Sequence, residues 1–280
     1  MAFVENQGAR IYWDEQGSGA PLLLIMGLGW SSHAWHRTRP ILNQRYRTIA
    51  FDNRGVGQSD LPPGPYSIPQ MASDAAAVLG AAKVNAAHIF GVSMGGMIAQ
   101  EFALQYPQKV RSLILGCTAA GGPEAVRAEP AVLQVLMTRS PSPDEFAKAI
   151  GPFIYDRGTP PKSIEEDTEV RRKWYPTADA YSAQLQAILA WESNSRIAQI
   201  TQPTLVIHGE NDKLVPPENG KLIAARIPGA KLVMIPNASH IFLTDQTPAA
   251  HAAILEFLGA QATRQRERPA PARDQIVPSP

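Results

Sequence analysis

Six short apolar runs punctuate the chain: Leu22–Ile25, Thr48–Phe51, Ala87–Phe90, Leu113–Leu115, Thr204–Ile207 and Leu232–Ile235. Each is continuous rather than alternating. An alternating strand has one wet face, whereas a continuous run of Leu, Ile and Val has two dry ones, as in a parallel sheet covered on both sides. Stretches with helical spacing separate the runs. Ile98, Phe102 and Tyr106 share a face of Met97–Tyr106, as do Ile254, Leu255 and Leu258 in Ala249–Leu258. This alternation predicts βαβ units and an α/β fold, a mostly parallel central sheet flanked by helices. The leading segment, Phe3–Tyr12 with Trp13–Gln16, reads as a hairpin that adds antiparallel strands to one edge.

The alternation breaks between Gly121 and Arg196. Apolar spacing there is helical (Val132, Val135, Leu136; then Leu185, Ile188, Leu189), with no strand-like run between. A structureless loop of that length is rare in a compact domain. The division expected is therefore an α/β core over 1–120 and 197–260, with a helical insertion at 121–196. Residues 261–280 hold four Pro, four Arg and no aromatic residue, the composition of a disordered tail.

Charge and cysteine content exclude several classes. The 280 residues carry 26 Lys plus Arg against 25 Asp plus Glu, a net charge of +1. That balance lacks the basic surplus expected of a nucleic-acid binder or a polybasic membrane anchor. The longest apolar run, Leu22–Met26, falls far short of the roughly 20 residues needed to span a bilayer. The first ten residues show no signal-peptide pattern, and a cytoplasmic location is expected. Cys117 is the one cysteine, so neither an intrachain disulfide nor a zinc site built on paired cysteines is available.

Gly91-Val92-Ser93-Met94-Gly95 fits G-x-S-x-G. An apolar strand precedes it and a helix follows it. A strand-to-helix turn this tight strains its central residue, and glycines on either side let backbone approach closely. Ser93 then projects at the carboxyl end of the sheet, where open α/β sheets place their sites. A serine hydroxyl needs a base, and the base an orienting acid, expected in the order Ser, acid, His. His240 follows the last apolar run through a polar loop, whereas His251 reads as a surface residue of a helix. Asp212, after Thr204–Ile207, is the acid of choice, with Glu210 the alternative and Glu124 a more distant third. The oxyanion of an acyl-transfer intermediate needs two backbone N–H donors, assigned to Met94 and Leu28. Neither Gly27-Leu28-Gly29 nor Gly55-Val56-Gly57 completes G-x-G-x-x-G, because Ser32 and Asp60 occupy the third glycine position. No nicotinamide cofactor is expected.

With these residues in place, the chain resembles the α/β-hydrolase superfamily over Phe3 to Ala260. The resemblance rests on Gly27-Leu28-Gly29, Asp52–Ser59, Gly91–Gly95, Gly209–Asp212 and His240. It implies a Ser93–Asp212–His240 triad and a helical cap at 121–196. Within the superfamily the chain looks most like capped bacterial esterases and lactonases of the enol-lactonase type. Met26 departs from the pattern, since many members carry His before the glycine. Asp52–Ser59 is read as bracing for the loops beneath the site.

The function expected is hydrolysis of a small carboxylic ester or lactone by a serine nucleophile, without cofactor or metal. Carbon–carbon bond hydrolysis and cofactor-free perhydrolysis use the same triad, and a small-molecule receptor retaining the pocket is the non-enzyme alternative. Trp30 and Trp191 are assigned to the substrate pocket, with Phe153, Ile154, Tyr155, Leu185 and Leu189 as further walls. Those walls suit an uncharged acyl chain, unless Arg127, Arg139 or Arg157 faces inward. Arg171-Arg172-Lys173 reads as a solvated helix face, Cys117 as a small core residue, and His33 with His36 as a pair lacking a third metal ligand.

Overall fold

A computed structural model describes residues 2–267. Eight strands form one sheet: β1 (Ala2–Asn6), β2 (Ala9–Gln16), β3 (Ala20–Ile25), β4 (Tyr46–Phe51), β5 (Ala87–Val92), β6 (Val110–Gly116), β7 (Thr204–Gly209) and β8 (Lys231–Ile235). Their spatial order is β1-β2-β4-β3-β5-β6-β7-β8. The β1–β2 hairpin turns at Gln7-Gly8 and runs antiparallel, as does β2 against β4. Every other pairing is parallel. Ten helices are described: α1 (Arg39–Leu42), α2 (Ile68–Ala81), α3 (Met94–Gln105), α4 (Pro130–Met137), α5 (Pro143–Ile154), α6 (Pro161–Lys173), α7 (Ala178–Leu189), α8 (Glu218–Arg226), α9 (Phe242–Asp245) and α10 (Thr247–Glu267). None of them is long and apolar enough to cross a membrane.

The continuous apolar runs are explained by the two covered faces. Leu23 and Ile25 of β3 point into a layer shared with α2 and α3, beside Met71, Val78, Ile98 and Phe102. Leu22 and Leu24 point the other way, into a layer shared with α10, beside Ile254 and Leu258. Each of these residues is inaccessible to solvent. Period-two alternation between two apolar faces leaves no polar position in the strand.

Helices α4–α7 lie in sequence between β6 and β7. Phe146, Ile150, Ile154, Tyr181 and Leu185 form their own apolar cluster, against which Leu28, Leu214 and Ile241 pack. Those three come from the loops after β3, β7 and β8. The helical layer therefore sits on the carboxyl ends of the strands. Its two ends are pinched together by a bridge between Gly121 and Glu192.

Three local expectations change. His251 is not on the surface: it is 4% exposed, and its Nε2 lies 3.1 Å from Thr38 Oγ1. The segment leading into α1 covers that side of α10, so a position that looks polar by periodicity is enclosed. Arg172 and Lys173 face solvent, but Arg171 is buried, because α6 turns it inward under the helical layer. Helix α10 continues past Gln261 to Glu267, into the stretch read from sequence as a tail, and the remaining residues of that stretch lie outside the described ones.

A buried ion pair and a buried histidine generate predictions. Arg54 grips Asp74 with two 2.7 Å bonds, Nε to Oδ2 and a terminal nitrogen to Oδ1. The side chains are 1% and 0% exposed, and Asn6 donates a further bond of 2.8 Å to Asp74. Replacing a buried pair member strands its partner, so Asp74→Ala should lower the unfolding free energy by about 3–5 kcal/mol in urea titrations. His88, within β5, is also enclosed. Burial, with help from Arg111, lowers its pKa from 6.5 to about 4. The unfolded chain takes up that proton near pH 6.5, and the fold only near 4. His88's contribution to stability is therefore complete above pH 6.5 and is lost as pH falls toward 4. Urea midpoints at pH 7 and pH 5 should differ less for His88→Gln than for the native chain.

Candidate active site

The turn from β5 to α3 places Ser93 at φ +56° and ψ −123°, a backbone region L-residues rarely occupy. The flanking glycines are dictated by space. A Cβ on Gly91 would come within 2.1 Å of the Gly95 carbonyl oxygen, and one on Gly95 within 2.1 Å of the Ile25 carbonyl oxygen. The serine backbone is held on both sides: its N–H donates to Gly116 O at 2.9 Å, and its carbonyl accepts from Thr118 Oγ1 at 2.7 Å.

The loop after β3 faces this turn. Asn53 Nδ2 donates to Met26 O at 2.9 Å. Gly29 N donates to Gln184 Oε1 at 2.9 Å, and Gln184 Nε2 donates to Arg54 O at 2.8 Å. Polar support for the loop thus comes from Asn53 and Gln184 rather than from a side chain at Met26. With Gly29 N occupied, Leu28 N and Met94 N are left without an acceptor among the described residues. Asp52 anchors the far end, accepting from Ser32 N at 2.6 Å and Gln58 N at 2.8 Å.

Asp212 follows β7 and His240 follows β8. His240 Nδ1 lies 2.8 Å from Asp212 Oδ2. The other carboxylate oxygen accepts from Leu214 N and Val215 N, each at 2.9 Å. His208 is the unforeseen member: its Nε2 sits 3.3 Å from Asp212 Oδ2 and 2.8 Å from Val215 O. Burial pushes the Asp212 pKa up, but the two histidines outweigh it and hold the pKa at about 2. Glu210 is exposed in the same turn, and Glu124 is spent on a surface pair with Arg226.

Ser93, Met94, Leu28 and His240 line one cavity of about 540 Å³ beneath α4–α7. Trp30 and Trp191 line it too, with Ile154, Leu185 and Leu189. Phe153 and Tyr155 do not: the Tyr155 hydroxyl is turned to Asp167, at 3.2 Å. Of the arginines considered, Arg127 reaches the cavity from an exposed position, and Arg139 lies over Tyr175 at 3.9 Å instead. Arg157 is not among the lining residues, whereas Arg171 is. Cys117 touches the cavity beside Asp212 and His240, with possible ligand atoms of the three within 4.8 Å of one another. Burial raises the thiol pKa and keeps the sulfur protonated, while Asp212 and His240 use the same atoms to bond each other.

Known proteins resemble this chain in sequence and in overall structure. The poly(3-hydroxyalkanoate) depolymerase of Ectopseudomonas oleovorans is 35% identical over 90% of this chain and 89% of its own. A thermophilic esterase from Thermogutta terrifontis superposes with a TM-score of 0.81 at 26% identity, covering 93% of this chain and 98% of its own. The enol-lactonase of Burkholderia xenovorans shares the fold, with a TM-score of 0.81 at 24% identity over 92% of this chain and the whole of its own. A family model for the alpha/beta hydrolase fold matches residues 20–247. The chain belongs to the α/β-hydrolase family and is a hydrolase of that type.

Proposed function

We propose that the protein is a serine hydrolase that cleaves a small carboxylic ester or lactone through an acyl-enzyme intermediate. The observation that carries this reading is Ser93 at a strained elbow, sharing a cavity with a histidine bound at 2.8 Å to a buried aspartate. Ser93 Oγ attacks the carbonyl carbon while His240 Nε2 takes its proton. Asp212 fixes the imidazole through Nδ1 and balances the cation that forms. The Leu28 and Met94 N–H groups hold the oxyanion. His240 then returns the proton to the leaving oxygen, and water attacks the acyl-enzyme by the same route in reverse. In this reading α4–α7 act as a cap. Their apolar side chains, with Trp30 and Trp191, enclose the acyl chain and keep water from its stem. The names of the Thermogutta esterase and the Ectopseudomonas depolymerase agree with ester chemistry.

Two measurements test the reading. A fluorophosphonate probe should label Ser93, and Ser93→Ala should lower kcat for aryl esters by roughly 10⁴-fold or more. Labelling of another residue, or full activity in the variant, overturns the assignment. Asp212→Asn should cost a similar factor, on the order of 10⁴, because an amide neither holds the needed tautomer nor balances the imidazolium. Glu210→Gln should leave kcat within a few fold, and the reverse order would move the acid to Glu210.

A further inference from the structure

Arg171 stands apart from every other arginine of the helical layer. It is 9% exposed, its guanidinium carbon lies 4.0 Å over the Trp30 ring and 5.1 Å from Phe146, and it lines the cavity that holds Ser93. The indole covers one face of the guanidinium plane, leaving its edge, with five N–H donors, unsatisfied by stacking. Among the described residues that edge meets no hydrogen-bond acceptor, and no carboxylate oxygen lies within the 4.0 Å of an ion pair. Asp167, one turn earlier on α6, is already engaged. Its Oδ1 receives Arg37 Nε at 3.2 Å, and its Oδ2 receives Thr244 Oγ1 at 2.8 Å and the Tyr155 hydroxyl at 3.2 Å. Burial lowers the Arg171 pKa from its ordinary value, with the nearby phenols and Asp167 opposing, yet a guanidinium remains charged at any working pH. Arg37 also lines the cavity but is paired with Asp167 and Glu166, so among the described residues Arg171 is the buried arginine of that lining whose donors have no partner.

We propose that Arg171 binds an ionised carboxylate that the substrate carries in addition to its scissile group, so that the preferred substrates are half-esters of dicarboxylic acids. This rests on the ester-hydrolase reading of Ser93. The scissile carbonyl is provided for by Leu28 and Met94, so the anion at Arg171 is a second group. The charge balance selects the class. Arg37 is paired with both Asp167 and the exposed Glu166, so Arg171 is the buried cation of the lining without a carboxylate of its own, and a single carboxylate neutralises it. A phosphate dianion would leave a net negative charge among Ile150, Leu185 and Phe146. A carboxylate also matches the planar fork, which accepts two parallel N–H bonds. Ser93 and Arg171 share one cavity with Ile150 and Leu185, apolar side chains that suit a methylene spacer.

The test compares aryl monoesters of glutarate, adipate and pimelate with aryl esters of monoacids of equal chain length. For the native chain, kcat/KM should favour the carboxylated member by at least about tenfold at one of these lengths. Arg171→Gln and Arg171→Met should each bring that ratio to near one. Calorimetry on the Ser93→Ala chain reads binding without turnover, and the carboxylated ester should bind at least about tenfold tighter there too. Equal binding of the paired esters, or a preference that survives in a folded Arg171 variant, overturns the proposal. Tighter binding of the half-ester without turnover by the native chain supports Arg171 and overturns the hydrolase reading instead.

Discussion

The approach of the α3 N-terminus to the end of β3 governs the rest of the structure. Gly95 lies so close to the Ile25 carbonyl that no side-chain atom fits between them, and a Cβ on Gly96 would come within 2.6 Å of the Thr118 side chain. That contact brings the loop after β3 beside Ser93 and forces the serine backbone into its left-handed turn. The strain is on the order of 1–3 kcal/mol, and the bonds from Thr118 and to Gly116 offset part of it. A looser helix start would relax the serine and, in the same movement, withdraw Leu28 N from it.

Parallel topology does the second part of the assembly. Loops after β3, β5, β7 and β8 all emerge at one edge of the sheet, so residues far apart in sequence meet without special connections. What they then need is orientation. Asp212 obtains it from the Leu214 and Val215 backbone N–H groups and from two histidines. The loop after β3 obtains it from Asn53 and from Gln184, a residue of α7. One glutamine thus couples the helical layer to the backbone that frames the serine.

The sheet was legible because its strands are buried on both faces and its period is unambiguous. Ser93, Asp212 and His240 stood out because each follows an apolar run at the carboxyl end of the sheet. Strand ends were less visible, since β6 and β7 extend through Arg111, Ser112 and His208, polar residues that interrupt the apolar runs. His208 was missed because it meets Asp212 only through the turn that the loop after β7 takes, and Gln184 because its partners Gly29 and Arg54 lie far away in sequence. Arg171 was misread because Arg172, Lys173 and the acidic run before them give α6 the pattern of a solvated helix. Periodicity reports one face per helix, and α6 packs against both the segment before α1 and the cavity.

The bridge between Gly121 and Glu192 has a consequence for how such a molecule can diverge. Gly121 is at φ +66°, with the Trp191 carbonyl where a Cβ would sit, and Ser193 fastens the same point to Gln100 of α3 by a 2.8 Å bond. The chain therefore leaves the sheet and returns to it through one narrow clamp between adjacent strands. Closing a loop grows dearer only slowly with its length, by about 0.6 kcal/mol per doubling. The clamp acts as a socket: segments of different size and lining can be seated there while the sheet edge below keeps its registry. In the ester-hydrolase reading proposed above, substrate choice and bond-breaking chemistry are thereby carried by separately replaceable pieces of a single chain.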